Sequence, residues 1–261
     1  MIDTTEILEK TQEFWVKQLQ SQSLNDLPVN LRKMMFCVPI TESNRSTFSI
    51  LNLKNFHPEF ASQNTLEVMG YSAEDYVEQG LKLFMDNLDD SHKSFTLYIS
   101  NWMETKFTNI PIQDRENVRL TYCGLRFHHA TKKWIRLLVQ QYFFEVDDNR
   151  NPLRFCTTKT DITHLMRHEK LWLRISYGAS DTKHIETFDY QNQLRQKGDI
   201  ISNREMDILL LLIEGLDIDD IGKQLFISPN TVKNHRQNMI NRLGVKDTTA
   251  LIQICRLCGI V

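Results

Sequence analysis

Asn230, Lys233, Asn234, Gln237 and Asn241 fall within roughly a 100° arc when residues 228–244 are wound as an α-helix. All but the lysine are amides, and the arc carries no acid. That set suits the reading of base edges. Asn and Gln can bond adenine N6 and N7 together, and Lys can reach guanine O6 and N7. A solvated surface helix would more usually carry Glu–Lys pairs four residues apart. Val232, Met239 and Leu243 lie on the opposite side and must face a core. Ser228 is a good N-cap, Pro229 fits the first helical position, and Gly244 closes the helix.

The neighbouring segments are those needed to hold such a helix. Residues 217–225 form a short helix with Ile218, Ile221 and Leu225 on one side, and Phe226, Ile227 and Ser228 make a connection of helix-turn-helix length. Upstream, residues 202–214 open with a Ser202–Glu205 capping box and run into an apolar block. Downstream, residues 248–257 form a fourth helix with Leu251, Ile254 and Cys255 on one side.

From Ile201 onward the chain resembles the LuxR-type helix-turn-helix domain. The resemblance is carried by N-R-E at 203–205, G-L at 215–216, I-S-P-N-T-V-K-N-H at 227–235 and R-L-G-V at 242–245. It implies base contacts from Lys233, Asn234 and Gln237, flanked on the same arc by Asn230 and Asn241. It also implies DNA-backbone contacts from Thr231, Arg236 and Lys246. The chain departs from the family at Gly222, where alanine is usual, and at Asp217, Asp219 and Asp220. A mid-helix glycine costs about 1 kcal/mol relative to alanine, so a less stable first motif helix is expected.

The formal net charge is −2, which excludes a general polyanion binder. The distribution is uneven. The charged residues from 205 to 220 are all acidic, whereas Lys223, Lys233, Arg236, Arg242 and Lys246 follow with no acid among them. Phosphate attraction supplies most non-specific affinity, so a domain with few cations is expected to bind double-stranded DNA as a homodimer. No apolar run is long enough to span a membrane, and the first residues carry acids where a signal peptide carries Lys or Arg, so a cytoplasmic protein without membrane association is expected. Five cysteines without paired spacing fit a reducing compartment. Cys255 and Cys258 form a C-x-x-C that reads as helix packing, since no second ligand pair lies nearby.

The preceding residues are of another kind. Residues 48–55 alternate as a strand, 59–70 give a strand and a short helix, and 71–75 cap a further helix. A longer helix covers 89–104, with Phe95, Ile99, Trp102 and Met103 at helical spacing. Three alternating segments follow at 117–129, 133–145 and 153–161, joined by hairpin turns at 130–132 and 147–151. The fold class is therefore α+β: an N-terminal antiparallel sheet with helices, then a C-terminal all-α four-helix domain. The N-terminal order resembles a PAS domain over residues 45–165, on G-Y-S-A-E at 70–74, L-D-D at 88–90, Trp134 and D-I-T at 161–163. The expected division is a helical extension at 1–44, a PAS-like sensor or dimerisation domain at 45–165, a connector at 166–199 and the DNA-binding domain at 200–261. Amphipathic helices are expected at 5–20 and 164–173.

The PAS resemblance implies a cavity between the sheet and its covering helices. Alternation on the second meander strand places Ile135, Leu137, Val139 and Gln141 toward it, joined by Leu120 and Tyr122, with Phe95, Ile99 and Met103 closing the other side. Such walls suit a small, largely apolar ligand, or else fill with side chains. No cofactor or metal is expected: the flavin-reactive N-C-R-F-L motif is absent, His92 reads as solvated within D-D-S-H-K-S, and His128 and His129 point to opposite strand faces. The paired aspartates sit in turns and helix starts, where they cannot make a phosphoacceptor receiver. No nucleophile–base pair or phosphate loop indicates an enzyme. The expected function is a sequence-specific transcriptional regulator controlled by its PAS-like domain. The alternative is an adaptor whose PAS-like domain docks a protein partner and binds no small molecule.

Overall fold

The computed structural model describes residue 9 and residues 45–115, 117–147, 149–178, 183–192 and 194–261; for 97–104 and 144 it describes the backbone alone. Residue 9 aside, the expected N-terminal extension and its helix lie outside the described residues. The chain opens with strands β1 (Ser46–Asn52) and β2 (His57–Ala61). Helices α1 (Thr65–Met69), α2 (Ala73–Gln79), α3 (Leu81–Asp86), α4 (Asp90–Lys106) and α5 (Ile112–Arg115) follow. Strands β3 (Arg119–His128), β4 (Trp134–Val146) and β5 (Pro152–Asp161) form the meander. Ser72 caps α2 through a reciprocal capping box with Asp75, as the local sequence requires.

Residues 166–199 are not a connector. They contain β6 (Trp172–Tyr177), β7 (His184–Asp189) and β8 (Leu194–Lys197), which extend the sheet to the order β2-β1-β5-β4-β3-β6-β7-β8. The expected helix at 164–173 is likewise absent. Leu171, Leu173 and Ile175 alternate onto the helix-covered face, which is strand periodicity, and β6 pairs antiparallel with β3. Ser91, Ser94 and Tyr190 then tie the new strands to the start of α4: the Tyr190 hydroxyl donates to the Ser91 carbonyl at 2.7 Å.

The two faces of the sheet serve different cores. The inner face sends Leu51, Leu137, Val139, Phe155 and Leu173 against Val68, Tyr76, Phe95 and Phe107 of the helical layer. On β3 the register shifts between Cys123 and Leu125, a bulge that returns Leu125 and Phe127 to the inner face. Gly124 is required there, because a Cβ would lie 1.9 Å from the Lys170 carbonyl oxygen. The outer face sends Cys123, Leu138, Ile162 and Trp172 into a second core shared with the C-terminal helices.

Those helices are α6 (Asn203–Ile213), α7 (Ile218–Leu225), α8 (Pro229–Leu243) and α9 (Thr248–Leu257). Ile208, Leu209, Val232, Leu243, Leu251 and Ile254 are fully buried among them and against the sheet. Cys255 and Cys258 are packing residues in this core, and the Cys258 thiol, pushed well up by burial, shares a hydrogen bond with Cys123 of the sheet. The result is three layers: helices, sheet, helices.

His92 is also corrected. It is buried, and its Nδ1 accepts the Arg126 backbone N–H at 2.9 Å. Burial lowers its pKa against the opposing pull of Asp89. It is a core histidine serving the α4–β3 junction.

Candidate nucleic-acid interface

Local caps fix α8. The Ser228 hydroxyl accepts the Thr231 N–H at 3.0 Å, Pro229 occupies the first turn, and Gly244 ends the helix with φ +72°. Val232, Met239 and Leu243 are buried, which fixes the helix's rotation. As a consequence Asn230, Lys233, Asn234, Gln237 and Asn241 are all exposed on the opposite arc. Gln237 Nε2 donates to Asn241 Oδ1 at 2.9 Å, so these two amides are already aligned along one face.

The turn before α8 explains Gly222. A Cβ at this position would lie 2.8 Å from the Ile227 carbonyl oxygen and 3.5 Å from the Pro229 ring. The Ile227 N–H donates to the Gly222 carbonyl at 3.0 Å, closing a tighter turn than alanine would allow. Here the helix-propensity cost of glycine is set against close helix approach. Asp217 caps α7 by accepting the Asp220 N–H at 2.9 Å, so this departure from the family also has a local role.

Of the backbone-contact residues, Lys246 is exposed just beyond α8. Thr231 is half-buried, with its hydroxyl 2.8 Å from that of Ser228. Arg236 is half-buried as well, and its Nε is buried without a hydrogen-bond partner among the described residues. Arg242 is half-buried and reaches back toward α6. It donates to both carboxylate oxygens of Glu205, at 2.7 and 2.9 Å, and to the Ile200 carbonyl at 2.8 Å. The sequence motifs show Glu205 only as a cap; its second role, as anchor of the reading helix, depends on a contact between residues far apart in the chain.

Residues 199–255 match the luxR family of bacterial regulatory proteins. The spore germination protein GerE of Bacillus subtilis is 33% identical over 63 residues, which are 24% of this chain and 85% of GerE. This chain belongs to the LuxR family. The transcriptional regulatory protein LiaR of Bacillus subtilis is 43% identical over 49 residues, 19% of this chain; the chain spans only 23% of LiaR's length. Among solved structures, the Vibrio cholerae VqmA dimer, described as a LuxR-type receptor in the absence of target DNA, is 13% identical. That match covers 85% of this chain and 86% of VqmA at a TM-score of 0.33.

The LuxR-family chain also carries a polar row inside its N-terminal unit. Of the expected pocket residues, Phe95, Leu120, Tyr122, Leu137 and Val139 share the inner core and Ile135 packs at its edge; the side chains of Ile99 and Met103 lie outside the described residues. Across this apolar wall, Ser49, Thr157 and Gln141 stand side by side on β1, β5 and β4. The Tyr122 hydroxyl, whose pKa burial raises, donates to Gln141 Oε1 at 2.6 Å. Gln141 Nε2 lies 3.4 Å from Thr157 Oγ1. Lys159 is 2% exposed; its Nζ donates to Ser49 Oγ at 3.0 Å and sits 4.6 Å over the Tyr76 ring. The wall is thus more polar than the strand alternation predicts. Lys159 shares strand parity with Leu153 and Phe155, and that parity is the signal available for finding it.

Among the described residues, no helix is long and apolar enough to cross a membrane.

Proposed function

We propose that this LuxR-family chain is a sequence-specific transcriptional regulator that binds double-stranded DNA as a homodimer and works in the cytoplasm, under the control of a PAS-like unit at 45–165. The observation that carries the reading is the exposed arc of amides and one lysine on a helix whose other side is locked into a core. Asn230, Lys233, Asn234, Gln237 and Asn241 face the base edges, and Thr231, Arg236 and Lys246 face the backbone. The test starts from an operator selected out of random-sequence duplexes. Lys233→Ala, Asn234→Ala and Gln237→Ala should each weaken operator binding by about 1–3 kcal/mol without changing the melting temperature. Wild-type affinity in both the Asn234 and Gln237 variants would reject base reading by this arc.

The PAS-like reading is supported by the strand order β2-β1-β5-β4-β3, with helices between β2 and β3. Within that unit we favour a small-molecule sensor over an adaptor, because the buried Lys159 amine is met by one hydroxyl and the faces of Tyr76 and Phe84 but by no carboxylate among the described residues, which leaves room for a further oxygen acceptor. The ligand class is then small and mostly apolar, with one oxygen acceptor for Lys159. Thermal melting of the full chain against small apolar and aromatic metabolites tests this, with Val139→Trp as a filled control. A ligand that stabilises both proteins equally binds elsewhere. A partner protein captured with equal affinity by both favours the adaptor.

A further inference from the structure

Met166 and Val245 form an isolated antiparallel bridge that joins the sheet unit to the turn after α8. Around it, the N–H groups of Arg167 and His168 both donate to the Gly244 carbonyl, at 2.8 and 3.1 Å, and the Lys246 N–H donates to the Leu165 carbonyl at 2.9 Å. The sheet and the turn after the reading helix are thus held in register by backbone bonds. Met166 and Val245 point into the shared core. Extended residues alternate sides, so Arg167 and Lys246 leave from the other face of this short ribbon.

Both cations are exposed, and the residue opposite Arg167 is Gly244, against which the stem of Lys170 packs. Neither cation has an ion-pair partner among the described residues. Of the acids around them, Glu169 is paired with other arginines, while Asp161 and Asp247 keep their charge and serve as caps. Glu169 pairs with Arg136 at 2.6 Å and lies 3.6 Å from Arg126. Asp161 accepts the Thr163 N–H at 2.9 Å, and Asp247 caps α9 through the Ala250 N–H at 2.8 Å. Arg45, 2.9 Å from His164 Nδ1, extends the same basic edge.

Position along the helix supplies the partner. The six-residue step from Gln237 to Leu243 rises about 9 Å. A major groove is about 12 Å wide, so the end of a helix reading bases through Asn234 and Gln237 comes level with the bordering phosphate strand. We propose that this strand is gripped from both units at once, with Arg167 of the sheet unit and Lys246 of the helical unit each holding a phosphate. The proposal rests on the DNA-reading role of α8. It adds to that role that the sheet unit touches DNA directly and so sets the angle at which the reading helix enters.

The experiment uses the full chain, its selected operator and a random-sequence duplex of equal length, with affinity measured between about 50 and 200 mM salt. Removing one cation from a phosphate flattens the slope of log affinity against log salt by about 0.9. Arg167→Ala should flatten it by about that amount per protomer on both duplexes, as should Lys246→Ala. Base preference should stay unchanged, and Arg167→Lys should keep the slope. Arg167→Gln, which retains much of the stem, replaces the alanine variant if the latter melts early. A wild-type slope in Arg167→Ala and Arg167→Gln beside a flattened one in Lys246→Ala overturns the sheet contact and leaves the reading role standing. A wild-type chain that binds neither duplex removes the reading role and this contact together.

Discussion

Arg242→Ala should lower the folding stability of the chain by about 2–3 kcal/mol: the Glu205 carboxylate left behind is buried, but the Arg242 side chain is 37% exposed and water screens the pair. Glu205 is 3% exposed and receives Arg242, the Ser202 hydroxyl and the Ser202 N–H. Burial raises its carboxyl pKa, but these donors, Arg242 first, outweigh it and hold the pKa below its ordinary value. Urea unfolding at neutral pH measures the loss. Arg242→Lys should recover only part of it, because an ammonium cannot bond both oxygens in a fork. Glu205→Gln with Arg242→Met should be milder than Arg242→Ala, since no charge is stranded. The acid side gives a signed check. A carboxyl whose folded pKa is depressed stabilises above its unfolded pKa, and that stability is lost as pH falls through the folded one. Arg242→Ala should therefore shrink the loss of stability on acidification. A cost under about 1 kcal/mol would place the pair among the weak surface bridges and discard this account.

The same pair shows what the sequence could reveal. Ser202 and Glu205 form a capping box three residues apart, and Ser228, Pro229 and Gly244 bound α8 by equally local rules, so the four C-terminal helices lie where their caps place them. Rotation of α8 is legible too, because Val232, Met239 and Leu243 leave one buried side. That Glu205 meets Arg242 is not, since the contact is closed only by the packed bundle.

In the N-terminal unit, alternation locates β3, β4 and β5 and their inner faces. It is equally present in Leu171, Leu173 and Ile175, but Leu165, Leu171 and Trp172 at helix-like intervals and the polar residues after Ser176 point to a helix and a connector. β6 is a strand because β3 offers it an edge to pair with, and β8, exposed throughout, is a strand because β7 does. Such pairings are non-local. His92 reads as solvated for a similar reason: its burial is made by Tyr190, nearly a hundred residues away, whose ring packs at 6.4 Å. The pocket residues follow from parity, whereas Lys159 escapes notice because a lysine in a polar run reads as exposed.

The shared outer core carries the second large prediction: Trp172→Ala should cost about 3–5 kcal/mol and loosen both units. Trp172 is 1% exposed on β6 and lies with Ile162, Leu165 and Met166 in the same apolar cluster as Ile208, Val232 and Leu251 of the C-terminal helices. Its indole N–H is buried with no hydrogen-bond partner among the described residues, so Trp172→Phe removes an unpaired donor along with volume and should cost less. If sheet and helices share one core, the wild-type chain should unfold in one transition whichever unit is watched. Hydrogen exchange can watch both. In Trp172→Ala the amides of α6 and α8 should lose protection together with those of β3 and β6. Ile162→Val, a milder change of about 0.5–1.5 kcal/mol, should shift both sets by equal amounts and serves if the alanine variant does not fold. Protection in α6 and α8 that stays at the wild-type level in either variant would mean that the helices stand without the sheet. A rigid sheet-to-helix junction matters for control: a change on the inner face can reorient the reading helix only if the two units move as one body.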